Sequence, residues 1–104
     1  MLKKILLLIF ALLTVSCAYA NNNEGVRALN AGHYKQAFSL FSTASENGSV
    51  SAKYNLAYMW QNGLGVRTNY IKAKKLHITA SKQGYAKAFA NLGYMYTEGQ
   101  GVKV

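Results

Sequence analysis

Side chains able to carry acid–base, nucleophilic or metal chemistry are scarce in this 104-residue chain: His33 and His77, three glutamates, no aspartate, and one cysteine, Cys17. No His-x-x-x-His or Cys-x-x-Cys spacing is present, so no zinc site is written in the sequence. Glu24 and Glu46 fall near expected helix ends and Glu98 in an expected turn, with nothing to pair any two as general acid and base. Cleavage of a glycosidic bond would need two carboxylates held about 5 to 9.5 Å apart. Gly63-Leu64-Gly65 follows a helical segment rather than a strand, which makes it a hairpin turn and not a phosphate loop. His77 reads as a packing residue and His33 as a capping or surface residue. The expected chemistry is therefore that of a surface: no catalytic, cofactor or metal residues, and no enzyme.

Recognition chemistry is better supplied. Aromatic side chains are over-represented at interface hot spots, and the chain carries eight tyrosines, four phenylalanines and one tryptophan. Most tyrosines recur at a fixed spacing and read as packing residues; Trp60 reads chiefly as core. The candidate partner-binding face is Lys53, Tyr54, Tyr58, Phe89 and Tyr94.

What must position these residues is a repeat. Aligned at an offset of 36, residues 48–68 and 84–104 are identical at nine of twenty-one positions. The same offset relates Tyr70, Ala73, Leu76, Ala80 and Gly84 to Tyr34, Ala37, Leu40, Ala44 and Gly48. A period in this range marks stacked supersecondary units, each too small to bury its own apolar face. Within a unit the apolar residues fall three and four apart, as on one face of a helix. The spacing predicts helices near 23–31, 34–47, 50–61, 69–83 and 86–97. Gly32, Gly48 and Gly84 would end helices, and Thr68 or Asn69 would cap one. Inward positions are expected at Ala52, Leu56 and Met59 or Trp60, and again at Ala88, Leu92 and Met95 or Tyr96. The fold class is all-α: a short right-handed α-solenoid of antiparallel helix hairpins, about two and a half repeats long.

Residues 1–20 read differently. Lys3 and Lys4 precede an apolar-rich run from Ile5 to Val15, and Ala18-Tyr19-Ala20 forms a small-residue cleavage site before three asparagines. That is the layout of a secretory signal peptide, and the eleven-residue run is short for a membrane span of roughly 20. Cleavage after Ala20 is the favoured reading, giving an exported, periplasmic or secreted protein without cysteine. Leu13-Thr14-Val15-Ser16-Cys17 loosely resembles a lipobox, so lipidation at Cys17 and an envelope anchor stand as the alternative. The domain reading is a leader over 1–20 and a repeat domain over 21–104: a degenerate hairpin 23–48, a full repeat 49–84 and a truncated repeat 85–104. The last unit stops where its second helix should begin, which leaves its final helix to fray or to find a partner in a second copy.

Twelve basic residues against three acidic ones give the chain a formal charge of +9. Losing Lys3 and Lys4 with the leader leaves ten against three, or +7. Such an excess favours anionic partners without choosing among them. The basic residues are spread over several helices rather than in one stripe, which with export argues against nucleic acid. A membrane role is expected only with lipidation.

With these residues assembled, the chain resembles the Sel-1-like repeat family, a relative of the tetratricopeptide repeats. The matching positions in the full unit are Ala52, Leu56, Gly63, Gly65, Val66, Tyr70, Ala73, Ala80 and Gly84. The following unit repeats them at Ala88, Leu92, Gly93, Tyr96, Gly99, Gly101 and Val102, and the first half-unit at Tyr34, Ala37, Ala44 and Gly48. Departures are Ala57 for a glycine, Trp60 for a tyrosine, Asn69 for an acidic residue, and Arg67 and Lys103 for a proline. The resemblance implies a superhelical stack that serves as a scaffold or adaptor for a protein partner. The alternative is a basic structural protein that binds envelope polymers or membrane surfaces, with a hydrolase a remote third.

Overall fold

The computed structural model describes residues 1–102; Lys103 and Val104, the end of the third unit, lie outside the described residues. Five helices follow in order: α1 (Leu2–Asn30), α2 (Tyr34–Glu46), α3 (Val50–Asn62), α4 (Tyr70–Lys82) and α5 (Ala86–Glu98). Among the described residues there is no strand. Each helix packs chiefly on its neighbours in sequence. Hydrogen bonds also tie α1 to α3 and α3 to α5, so the odd-numbered helices form one layer and the even-numbered ones the other.

Alanine sets the spacing between helices. Ala37 and Ala73, Ala44 and Ala80, and Ala52 and Ala88 are pairs one period apart, and all six are fully buried. A methyl group at each crossing lets two backbones approach closely, so the register repeats because the small residues do. The larger contributions come from Phe41, Met59 and Met95, all fully buried. Of the inward pairs left open by the sequence, Met59 and Met95 point inward. Trp60 is half-buried, edge-on to Phe38 at 5.3 Å with the Lys72 ammonium 4.4 Å from its ring centre. Tyr96 is exposed.

Helix ends follow from the same residues. After α1, α2 and α4 the backbone N–H two residues past the cap reaches back to the third-last helical carbonyl: His33 to Ala28, Ser49 to Ala44, and Tyr85 to Ala80. The glycine before each of these donors has a positive φ. Ser49 caps α3 and Asn69 caps α4 through their side-chain oxygens. His33 makes no capping hydrogen bond and is exposed. Gly65 is doubly constrained. Its φ is +72°, and a Cβ there would lie 2.9 Å from the carbonyl carbon of Tyr34, at the start of α2. Gly101 stands in the same relation to Tyr70, at the start of α4. The turn of each unit thus locks onto the second helix of the unit before.

The N-terminus departs from expectation. The first helix does not start near Asn23; it runs unbroken from Leu2, because no glycine or proline separates the leader from the first repeat. The asparagines expected as a lead-in are helical, and Asn22 Oδ1 accepts from Asn55 Nδ2 at 3.0 Å. Ala18 is 4% exposed, beside the turn at Asn47, Gly48 and Ser49. Taken whole, α1 is long and apolar enough to cross a membrane, a property that N-terminal signal sequences share. The count over Ile5–Val15 fell short because it left out the apolar and small residues on either side.

A candidate partner-binding groove between α3 and α5

The odd-numbered helices present a groove of about 350 Å³, lined by Tyr54 of α3 and by Lys87, Ala90, Asn91 and Tyr94 of α5. Tyr54 forms its wall. The ring packs against His77 at 5.4 Å and Tyr85 at 5.2 Å between centres, and the hydroxyl accepts a hydrogen bond from Asn91 Nδ2 at 3.3 Å. Asn91 lies one period after Asn55, whose amide donates to Asn22. An asparagine on each of α3 and α5 therefore bridges to the preceding odd-numbered helix. Tyr94 is 53% exposed, with its ring free for contact.

Behind Tyr54 lies a buried polar chain. His77 is fully buried at the position that Phe41 occupies one period earlier. Its Nε2 is 3.2 Å from Gln61 Oε1, and Gln61 Nε2 donates to Gln100 Oε1 at 2.9 Å. With the Gln61 amide directed at Gln100, its oxygen is the acceptor, so the histidine proton sits on Nε2. Nδ1 has no hydrogen-bond partner. Burial lowers the imidazole pKa from 6.5 to about 4, so His77 is neutral near pH 7. Through Gln61, this ring links α4 to α3 and to the final turn.

The remaining chemical groups stay apart. Glu24 is exposed on α1 and lies 3.8 Å from Arg27. Glu46 and Glu98 are the last residues of α2 and α5, both exposed; Glu98 belongs to the helix rather than to a turn. Cys17 is exposed on the leader half of α1. Among the described residues no cluster of three or more histidine, cysteine or acidic side chains could hold a metal ion.

The five residues expected to form a partner surface are split. Tyr54 and Tyr94 share the groove. Tyr58 is 40% exposed one turn further along α3. Lys53 is half-buried, its ammonium donating to the Ser45 carbonyl at 2.9 Å, which ties α3 to the end of α2 instead of facing a partner. Phe89 is 60% exposed, but five residues from Tyr94 it points from a different side of α5. Sequence reasoning missed Lys87 and Asn91. The recurrence of Asn55 at Asn91 was the available signal, since a polar side chain kept at one place in a repeat has a repeated partner.

Comparison with known proteins agrees with this architecture. The family model "Sel1 repeat" matches residues 25–49, 50–85 and 86–104. No curated protein matches the chain. Among solved structures, a Sel1 repeat protein from Oxalobacter formigenes superposes with a TM-score of 0.73 at 28% identity, over 83% of this chain and 37% of that one. The chain thus spans little more than a third of that relative. Three family segments, a common fold and the periodic alanines and glycines lead to one statement: this chain belongs to the Sel1 repeat family.

Proposed function

We propose that this protein is an exported interaction scaffold that holds a segment of a partner polypeptide in the groove between α3 and α5. Sel1 repeats generally mediate protein–protein interaction. The observation that carries the reading here is the groove's make-up: an exposed tyrosine, a second tyrosine fixed by Asn91 and two ring contacts, and a lysine at the rim. Rigid aromatic walls lose little conformational entropy on binding. A photo-cross-linking residue at position 94, introduced in cells, should yield a defined protein adduct. The same residue at Lys75, an exposed position on α4, should not. Tyr54→Ala should abolish the adduct at 94. Adducts that are equal at both positions, or indifferent to Tyr54→Ala, would refute the groove as the binding site.

A second reading, attachment to an anionic envelope polymer or membrane surface, draws on the charge. Against a formal +9, a single ion pair joins side chains among the described residues, leaving most cations uncompensated. Such binding would weaken steeply with salt, since exposed charges are screened within about 8 Å at physiological ionic strength.

A further inference from the structure

One end of the stack carries cations that no acid answers. Lys35 follows Tyr34 in the first turn of α2, Ile71 and Lys72 follow Tyr70 in the first turn of α4, and Arg67 lies in the turn between α3 and α4. All six residues are exposed. The two helix starts are one period apart in the same layer, so they share one end of it. A Cβ on Gly65, two residues before Arg67, would lie 2.9 Å from the carbonyl carbon of Tyr34, which sets that turn beside the start of α2. Lys72 keeps its ammonium over Trp60, 4.4 Å from the ring centre.

Between Glu24 and Glu98 the sequence has one acidic residue, Glu46, and it closes α2 at the opposite end. Glu24 lies 3.8 Å from Arg27, and among the described residues that is the one ion pair, so Lys35, Arg67 and Lys72 are unmatched there. Apolar surface accompanies the charge: Ile71 is 51% exposed, Tyr34 39% and Tyr70 38%. The two tyrosines are equally open although a complete unit follows the first of them, so the exposure belongs to the repeat itself. Cations beside tyrosines and an exposed aliphatic side chain suit the boundary of an anionic bilayer. There the headgroups take the charge, and the rings and aliphatic group enter the top of the acyl region. A soluble polyanion would give Ile71 nothing to enter.

We propose that this end of the stack docks on the surface of an anionic lipid bilayer, with Lys35, Arg67 and Lys72 at the headgroups and Ile71 below them. This rests on the charge-based reading of attachment, to which it adds a place and a lipid partner, and it uses no residue of the groove. The leader leaves the repeats at the other end. Ala18 is buried beside Asn47, Gly48 and Ser49, the length of α2, about 20 Å, from Tyr34. A chain inserted in one bilayer through α1 therefore holds this surface away from that bilayer and open to another.

The test places the full chain in phosphatidylcholine vesicles through its leader, then adds dye-labelled vesicles of phosphatidylcholine and phosphatidylglycerol in equal parts. Capture of the anionic vesicles is expected, with little capture of labelled phosphatidylcholine vesicles, and it should fall steeply as salt rises. Lys35→Gln and Arg67→Gln should each weaken capture about fivefold. Ile71→Ser should weaken it at unchanged charge, while Lys82→Gln, a change at an exposed residue on the far end of α4, should not. Circular dichroism checks that each variant keeps its helices. No capture, or equal capture of both kinds of vesicle, overturns the proposal. Salt-sensitive capture that ignores Lys35, Arg67 and Ile71 overturns it too, while leaving the charge-based reading standing. So does binding of soluble polyphosphate through Lys35 and Arg67 without capture of vesicles, which assigns this end of the stack to a polymer.

Discussion

At the scale of single residues, His77 is the least conservative choice in the core, since one period earlier the same place holds Phe41. Part of its cost shows only in acid. An unfolded chain takes up the proton as pH falls through 6.5, but the folded chain refuses it until about 4. The unfolded state is therefore favoured progressively between those values, and stability falls as pH falls. A gap of that size corresponds to about 3 kcal/mol, present above pH 6.5 and lost by pH 4. Chemical denaturation at a series of pH values should show this slope, and His77→Phe should flatten it while keeping the fold. An unchanged slope in that variant would mean that another group titrates. In sequence, His77 is legible as a packing residue from its place in the repeat. Its bonds to Gln61, and Gln61's to Gln100, are not legible, because glutamines in a helix and in a turn carry no periodic signature.

At the scale of the element, the glycines divide into two kinds that the sequence alone does not separate. Gly65 sits in a turn with positive φ and presses on the backbone of Tyr34, which cannot yield as a flexible side chain would. Gly93 sits inside α5 with open space around it. Gly65→Ala should then cost about 2 kcal/mol or more, from the left-handed backbone penalty and the clash together. Gly93→Ala should instead stabilise by about 0.5 to 1 kcal/mol by favouring the helix. Thermal melts distinguish the two, since each kcal/mol moves the midpoint of a domain of this size by about 4 to 8 °C. Repeat spacing announces Gly65 and Gly101 as turn residues. That they also clasp Tyr34 and Tyr70 needs the stacked geometry, because those contacts cross from one unit to the previous one. The start of α1 was illegible for the opposite reason: with no glycine or proline between residues 2 and 24, nothing breaks the helix where the leader meets the repeat.

For the whole molecule, the stack was largely readable, since alanines at one offset dictate where helices cross and glycines at the same offset dictate where they stop. The groove was half readable. Periodicity and aromatic character point to Tyr54 and Tyr94, but an exposed lysine or asparagine on a helix looks the same whether it faces solvent or a cleft. Lys53 shows the converse, a surface-type residue drawn onto a neighbouring carbonyl. Processing belongs to this scale too. If cleavage follows Ala20, intact mass measurement of the protein from cells should give a chain beginning at Asn21. A mass that begins at Cys17 and carries acyl chains would replace that reading with the lipid-anchored one.

The burial of Ala18 makes the timing of that cut matter. A protease needs its target strand drawn out straight, yet Ala18-Tyr19-Ala20 is wound into α1 with its first residue pressed against the bend before α3. Were the chain cut after Ala20, folding first would leave that bond wound in a helix, although Ala20 itself stays exposed. With such a cut the product would lack Val15, Ala18 and Tyr19, which line one hollow together with Asn47, Gly48 and Ser49. Precursor and product would then differ in more than length: maturation would strip one side from that hollow.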